Sequence, residues 1–222
     1  MSKPEKPAGS RAVARQPGRP RGDSQLRDRL LEAALAEFAE HGFGGASMRR
    51  IAQAAGATPA MAHYYFGDKR GLYRAILEHT LAPALAEIRG QTQEALEGGD
   101  PIARFVRAFM RRLAGEPGIA AVLARDLLTP DSEIREVLIR GSGRSGADAV
   151  RGIIRHEIGC GRLRRDLDPE LAALSLLSLC AFPFLAPPVA GHVLDEPPTP
   201  EQVERLATHT LALFFQGAEV RP

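Results

Sequence analysis

Ser47-Met48-Arg49-Arg50-Ile51-Ala52-Gln53-Ala54-Ala55-Gly56-Ala57-Thr58-Pro59-Ala60-Met61-Ala62-His63-Tyr64-Tyr65-Phe66 reads as two short helices joined by a tight turn. Ser47 is the expected N-cap of the first, and Ile51, Ala52 and Ala55 give it an apolar side. Gly56 supplies the positive φ that closes a helix C-terminus and lets the chain turn sharply. Thr58 is the expected cap of the second helix, with Pro59 at its first position, where a missing N–H does no harm. A helix, a glycine turn and a capped second helix at this spacing make a helix-turn-helix. Its second helix has the shape to enter a DNA major groove.

The flanks supply what such a motif needs. Upstream, Leu31, Ala34, Leu35 and Phe38 recur at helical spacing, which predicts a first helix from Asp23 or Ser24 to His41, ended by Gly42. Phe43, Ala46, Ile51 and Ala55 should close a small core against that face. Downstream, Gly67 and Asp68 should end the third helix and cap a fourth from Lys69, with Leu72, Ile76, Leu77 and Leu81 as its apolar stripe. That helix is expected to reach about Leu96, kinked near Pro83. The candidate DNA-contacting residues are Ser47, Arg49, Thr58, Pro59, Met61, His63, Tyr64 and Lys69. Thr58, Met61 and His63 are candidates for base edges. Arg49 could bond guanine bidentately, and the unpaired N–H groups after Ser47 could hold a phosphate. Tyr65 and Phe66 read as packing residues.

Charge is unevenly spread. Residues 1–22 carry six Lys or Arg against Glu5, a balance of +5, within a chain whose net charge is +2. Residues 23–80 balance, so the remainder is acidic. Residues 1–22 are rich in Pro, Gly and Arg and should be disordered when free. Arg19 and Arg21 flank Pro20 in a Gly-Arg-Pro run that resembles an AT-hook. The arm therefore reads either as a solvated tail or as a segment lying in a narrow A·T-rich minor groove.

Beyond residue 85 every apolar pattern is helical. Helices are expected over 102–113, 119–128, 130–140, 147–158, 171–182 and 201–215, with loops at 141–146 and 195–200. Asp168-Pro169-Glu170 is a strong helix start. No segment reads as a strand. The expected fold is all-α with about nine helices: a basic arm over 1–22, a three-helix DNA-binding domain over 23–84 and a larger helical domain over 85–222.

Other classes find little support. Two cysteines, Cys160 and Cys180, fit a reducing compartment, and the basic amino terminus lacks the apolar core of a secretory signal. Residues 171–190 are uncharged, yet Pro183, Pro187 and Pro188 interrupt them, so a buried or subunit-interface helix is expected, with no membrane partner. His156-Glu157 lacks a second ligand at i+4, and no nucleophile elbow, P-loop or dinucleotide glycine pattern occurs; neither metal, cofactor nor enzymatic activity is expected. A cytoplasmic, nucleoid-associated protein is the resulting expectation. A DNA-bending architectural protein is the alternative class, separable by footprinting.

Glu-His-Gly-Phe at the end of the first helix, the Ser-Met-Arg-Arg-Ile-Ala-Gln-Ala-Ala-Gly run and Ala-His-Tyr-Tyr-Phe-Gly-Asp-Lys-Arg-Gly-Leu-Tyr together resemble the amino-terminal domain of TetR-family transcriptional regulators, over residues 24–85 without gaps. The run Thr58-Pro59-Ala60-Met61 and His63, where a Tyr is frequent, depart from the usual pattern. The resemblance implies that Tyr64 and Lys69 contact backbone phosphate. It also implies a carboxy-terminal effector-binding and dimerisation domain, in which helices 171–182 and 203–215 pair with their copies through Leu171, Leu174, Leu206, Leu213 and Phe214. A homodimer on a palindromic operator, released by a small-molecule effector, is the implied mode of action. The Ala- and Leu-rich helices suggest an apolar or amphipathic effector. Phe105, Phe109, Met110, Leu123, Arg125, Asp126 and His156 lie where a pocket would form, without being assigned to it.

Overall fold

A computed structural model describes residues 21–81, 99–126, 142–196 and 198–218, with isolated positions between them. Of the arm expected over 1–22, residues 1–20 lie outside the described residues, as do most of 82–98 and the helix at 130–140; Arg21 and Gly22, expected to be disordered, are helical. Among those described there are ten α-helices and no strand. They are α1 (Arg21–Gly45), α2 (Met48–Ala54), α3 (Pro59–Phe66), α4 (Lys69–Ile76), α5 (Pro101–Gly115), α6 (Pro117–Asp126), α7 (Ser142–Gly159), α8 (Pro169–Leu185), α9 (Pro187–Leu194) and α10 (Val203–Ala218).

The amino-terminal part is built around α1. Leu26, Leu30, Leu31, Ala34 and Phe38 bury one face of it against Ile51, Ala52, Ala62, Leu72 and Tyr73. Gly42 breaks the helix at φ 68°, ψ 175°, and Phe43 turns back into the core. The ring of Tyr73 stands edge-on to Phe38 at 4.9 Å and to Phe43 at 5.3 Å, so three aromatic rings close the joint between α1 and α4. Past Ile76 the chain widens into a π-turn over Leu77–Leu81, just ahead of Pro83, whose missing N–H cannot continue an α-helical ladder.

In the larger part, α8 packs on α5, α6, α7, α9 and α10, and α5 packs on α10. Asp100 and Asp168 cap α5 and α8 through Oδ1, which accepts N–H bonds from Ala103 at 2.9 Å and from Glu170 and Leu171 at 2.9 and 3.0 Å. The turn after α7 uses Gly161 at φ 75°. The buried Glu157 carboxylate holds the Arg162 guanidinium, while its carbonyl accepts from the N–H groups of Arg162 and Leu163. Leu163 is fully buried, and the Arg164 N–H donates to Ala218 O at 2.9 Å, which clips the turn to the end of α10.

Two expectations are corrected here. The loop at 141–146 is helical from Ser142, because Val150, Ile153 and Ile154 anchor α7 and their burial outweighs the cost, about 1 kcal/mol each, of Gly143 and Gly146 in its first turns. A helix at Pro187–Leu194 was not anticipated: Pro187 and Pro188 open it from the first turn, where prolines are tolerated. No single helix among the described residues is long and apolar enough to cross a membrane. Helices α8 and α9, the one pair passing jointly by length and composition, are bent by 89°.

Candidate nucleic-acid interface

The turn between α2 and α3 is a Schellman closure. Gly56, at φ 67°, donates to Gln53 O at 3.1 Å and Ala57 to Ala52 O at 2.8 Å. The Arg29 Nε adds a bond to Ala55 O at 3.3 Å, placing a cation at the C-terminal end of α2. Helix α3 begins as expected: Thr58 Oγ1 accepts the Met61 N–H at 3.3 Å and Pro59 fills the first turn. Ala62 is its fully buried anchor, and Tyr65 and Phe66 pack half-buried on the core. The opposite side, with Thr58, Pro59, Met61, His63 and Tyr64, is exposed; Tyr64 reaches 83 %.

Ser47 behaves differently from the expected cap. Its side chain makes no capping bond to α2; instead its N–H donates to Glu37 Oε1 of α1 at 2.9 Å. Arg50 completes a clamp, with Nε on the same Glu37 oxygen at 2.8 Å and Nη2 on Gly45 O at 2.7 Å. The Arg50 hydrogen bond holds the Glu37 carboxyl below the usual carboxylate range, against the opposing effect of burial. A carboxylate of the protein's own thus stands beside the N-terminus of α2, where it takes the Ser47 N–H. Arg49, the neighbour of Arg50, is exposed and stands clear of this clamp.

Lys69 is drawn inward. Its Nζ donates to Gly44 O at 3.3 Å and Ala46 O at 3.2 Å, and lies 4.9 Å from the centroid of the Phe43 ring. It satisfies carbonyls at the end of α1 and so fixes where α2 begins. Asp68, as expected, caps α4 by accepting the Gly71 N–H at 2.7 Å.

The faces assigned to pairing separate into two groups. Leu171 and Leu174, 63 % and 62 % exposed, form an apolar stripe on α8 with Leu179 and Phe182; Val189 and Val193 on α9 and Leu213 on α10 are also exposed. Phe214 departs from the expectation. It lies with Val203, Ala207, Leu211 and Ala218 on the buried face of α10 that packs on α5, and Leu206 is half-buried against the same core. Among the residues placed near a pocket, Phe105, Met110 and Leu123 are core, and Phe109 stacks on Phe105 at 5.4 Å. His156 pairs with Cys160, with Nε2 3.5 Å from Sγ. Arg125 turns away from that interior: its Nη1 donates to Glu40 O of α1 at 3.2 Å, and its chain runs over Gly42. The link between α6 and α1 was missed by sequence reasoning.

Residues 30–76 match the family model for bacterial regulatory proteins of the tetR family, and residues 100–218 match the C-terminal domain of the HTH-type transcriptional dual regulator CecR. The HTH-type transcriptional repressor NicS of Pseudomonas putida is 28 % identical over 162 residues, covering 71 % of this chain and 75 % of NicS. The HTH-type transcriptional regulator RutR of Escherichia coli is 34 % identical over 142 residues, 58 % of this chain and 66 % of RutR. The transcriptional regulator FadR from Bacillus subtilis, solved with stearoyl-CoA, superposes with a TM-score of 0.68 at 18 % identity, over 86 % of this chain and 98 % of FadR. These relatives carry regulation as their role and no catalysis in their names. One model spans the reading head and another more than half of the chain, and on that ground the chain belongs to the TetR family of bacterial transcriptional regulators.

Proposed function

We propose that the protein is a homodimeric repressor that occupies a palindromic operator with two copies of α3 and leaves it when a small molecule binds among α5–α8. The observation that carries the reading is the division of α3 into a buried anchor, Ala62, and an outward face of Thr58, Met61, His63 and Tyr64. A helix held so by its neighbours presents side chains to a groove without moving. One such helix reads too few base pairs for useful specificity, and a two-fold dimer doubles the footprint. The exposed stripe of Leu171, Leu174 and Phe182 on α8 and the exposed Leu213 on α10 support these two helices as the pairing surface. The stearoyl-CoA held by the FadR neighbour supports an apolar or amphipathic effector.

In this reading Tyr64 and Lys69 contact phosphate and Arg49 a base edge, while Arg19 and Arg21, the latter at the start of α1, reach the minor groove beside the site. The test is footprinting of the full chain on fragments selected from genomic DNA. A short palindromic protected site, released by an acyl-CoA probe, agrees with the reading; diffuse coverage indicates an architectural protein instead. Removal of residues 1–22 should weaken binding and flatten its salt dependence, and an unchanged salt slope excludes the arm.

A further inference from the structure

His63 occupies an unusual place in α3. Its ring is exposed, yet Nδ1 lies 2.6 Å from Gly67 O, while the Gly67 N–H donates back to His63 O at 2.8 Å. Gly67 closes α3 at φ 75°, a conformation that aims its carbonyl back along the helix. A carbonyl oxygen only accepts. The bond therefore requires the proton to sit on Nδ1, and rotating the ring by half a turn would set a C–H against the carbonyl instead. In the neutral ring, the lone pair is then on Nε2, at the outer edge of the imidazole. Among the described residues Nε2 has no partner. The helix cap thus fixes both the tautomer and the orientation of a side chain on the outward face of α3.

A fixed acceptor discriminates among bases. In the major groove cytosine offers its N4 amino group and adenine its N6 amino group, whereas guanine presents N7 and O6 and thymine O4, all of them acceptors. We propose that His63 is a specificity-determining residue whose cap-locked Nε2 accepts a hydrogen bond from the exocyclic amino group of a cytosine or adenine in each half-site. The inference rests on α3 entering the major groove. It also differs from what a lysine or arginine would do at this position, since those donate and select guanine.

The test compares sequences selected from randomised duplexes by the full-length protein and by two variants. His63→Asn sets an amide nitrogen where Nδ1 was, which keeps the bond to Gly67 O and deletes Nε2. His63→Phe keeps the ring and deletes both nitrogens. The wild type should enrich one base pair, in one orientation, at one position per half-site, the orientation that turns its A or C amino group towards α3. Both variants should lose that enrichment alone, with affinity for the selected operator falling about 2- to 12-fold, the net worth of one hydrogen bond. His63→Asn should keep the wild-type Tm. In the free protein, long-range 1H–15N spectra should show the neutral ring protonated at Nδ1. Protonation at Nε2, or an unchanged selected sequence in His63→Asn, overturns the proposal. Met61→Ala and Tyr64→Ala separate the two layers. If they weaken binding while His63→Asn changes nothing, the role of His63 falls and α3 remains the reading helix. If none of the three affects binding, both fall.

Discussion

Replacing Gly42 by Ala should cost more than its position on an apparently ordinary helix end suggests. The backbone there is at φ 68°, ψ 175°, a region open to glycine and closed to residues with a Cβ. Forcing an L-residue into it costs about 1–3 kcal/mol. The added Cβ would also stand 2.9 Å from Cδ and 3.0 Å from Nη1 of Arg125. That side chain can move, but moving it breaks the bond from Nη1 to Glu40 O, worth about 0.5–1.5 kcal/mol at a solvent-facing site. Together these give about 1.5–4.5 kcal/mol, or roughly 3–18 °C in Tm for a chain of this size. Thermal and urea unfolding followed by circular dichroism, at one protein concentration, reads the change. Arg125→Ala alone should cost only the smaller part. In a Gly42→Ala background it should cost nearly nothing, because the bond is already gone. A loss below about 0.5 kcal/mol for Gly42→Ala, or additivity of the two changes, would refute the account of this junction. The point reaches function because α6 belongs to the larger helical part and α1 braces the reading head. Strain there should shift α2 and α3 from the orientation in which α1 holds them.

Three further outcomes follow from the same structure. Glu37→Gln should destabilise the reading head at neutral pH and progressively less as the solution is made acidic: Glu37 titrates lower folded than unfolded, so its contribution is present above the ordinary carboxylate pKa and disappears as pH falls through the folded value. Parallel pH–stability curves for wild type and variant would count against the clamp. A thiol reagent at pH 8 should label one cysteine per native chain, the exposed Cys160, because burial pushes the Cys180 thiol up to about 12; rapid labelling of both would contradict its place in the core. Leu174→Arg should convert dimers to folded monomers in sedimentation, whereas Phe214→Ala should cost about 3–5 kcal/mol of folding stability; the reverse assignment would invert the two faces of the carboxy-terminal helices.

What could be read from the sequence was set by separation along the chain. The Schellman turn at Gly56, the Thr58 cap with Pro59 and the Asp68, Asp100 and Asp168 caps each join groups a few residues apart, and all of them stand where local patterns place them. The misreadings involve partners farther off. Ser47 has every local attribute of a cap, but its N–H meets Glu37, ten residues back, and its hydroxyl makes no capping bond to α2. Lys69 has partners within the protein that no local pattern shows: the carbonyls that hold it are 23 and 25 residues away, across the α1–α2 joint. Arg125 reaches 85 residues back to α1. Faces of helices obey the same rule. Along α8 both sides are apolar, so period alone cannot say which side the core takes; only the packing on α5, α6 and α7 decides that Leu176 and Cys180 go in and Leu171 and Leu174 stay out. On α10 Leu213 and Phe214 are adjacent in sequence and about 100° apart on the helix, and that rotation makes one a surface group and the other core. The positioning of the reading head is therefore long-range information, carried by Glu37, Lys69 and Arg125, while the surface it presents is local and was legible from Thr58 to Tyr64.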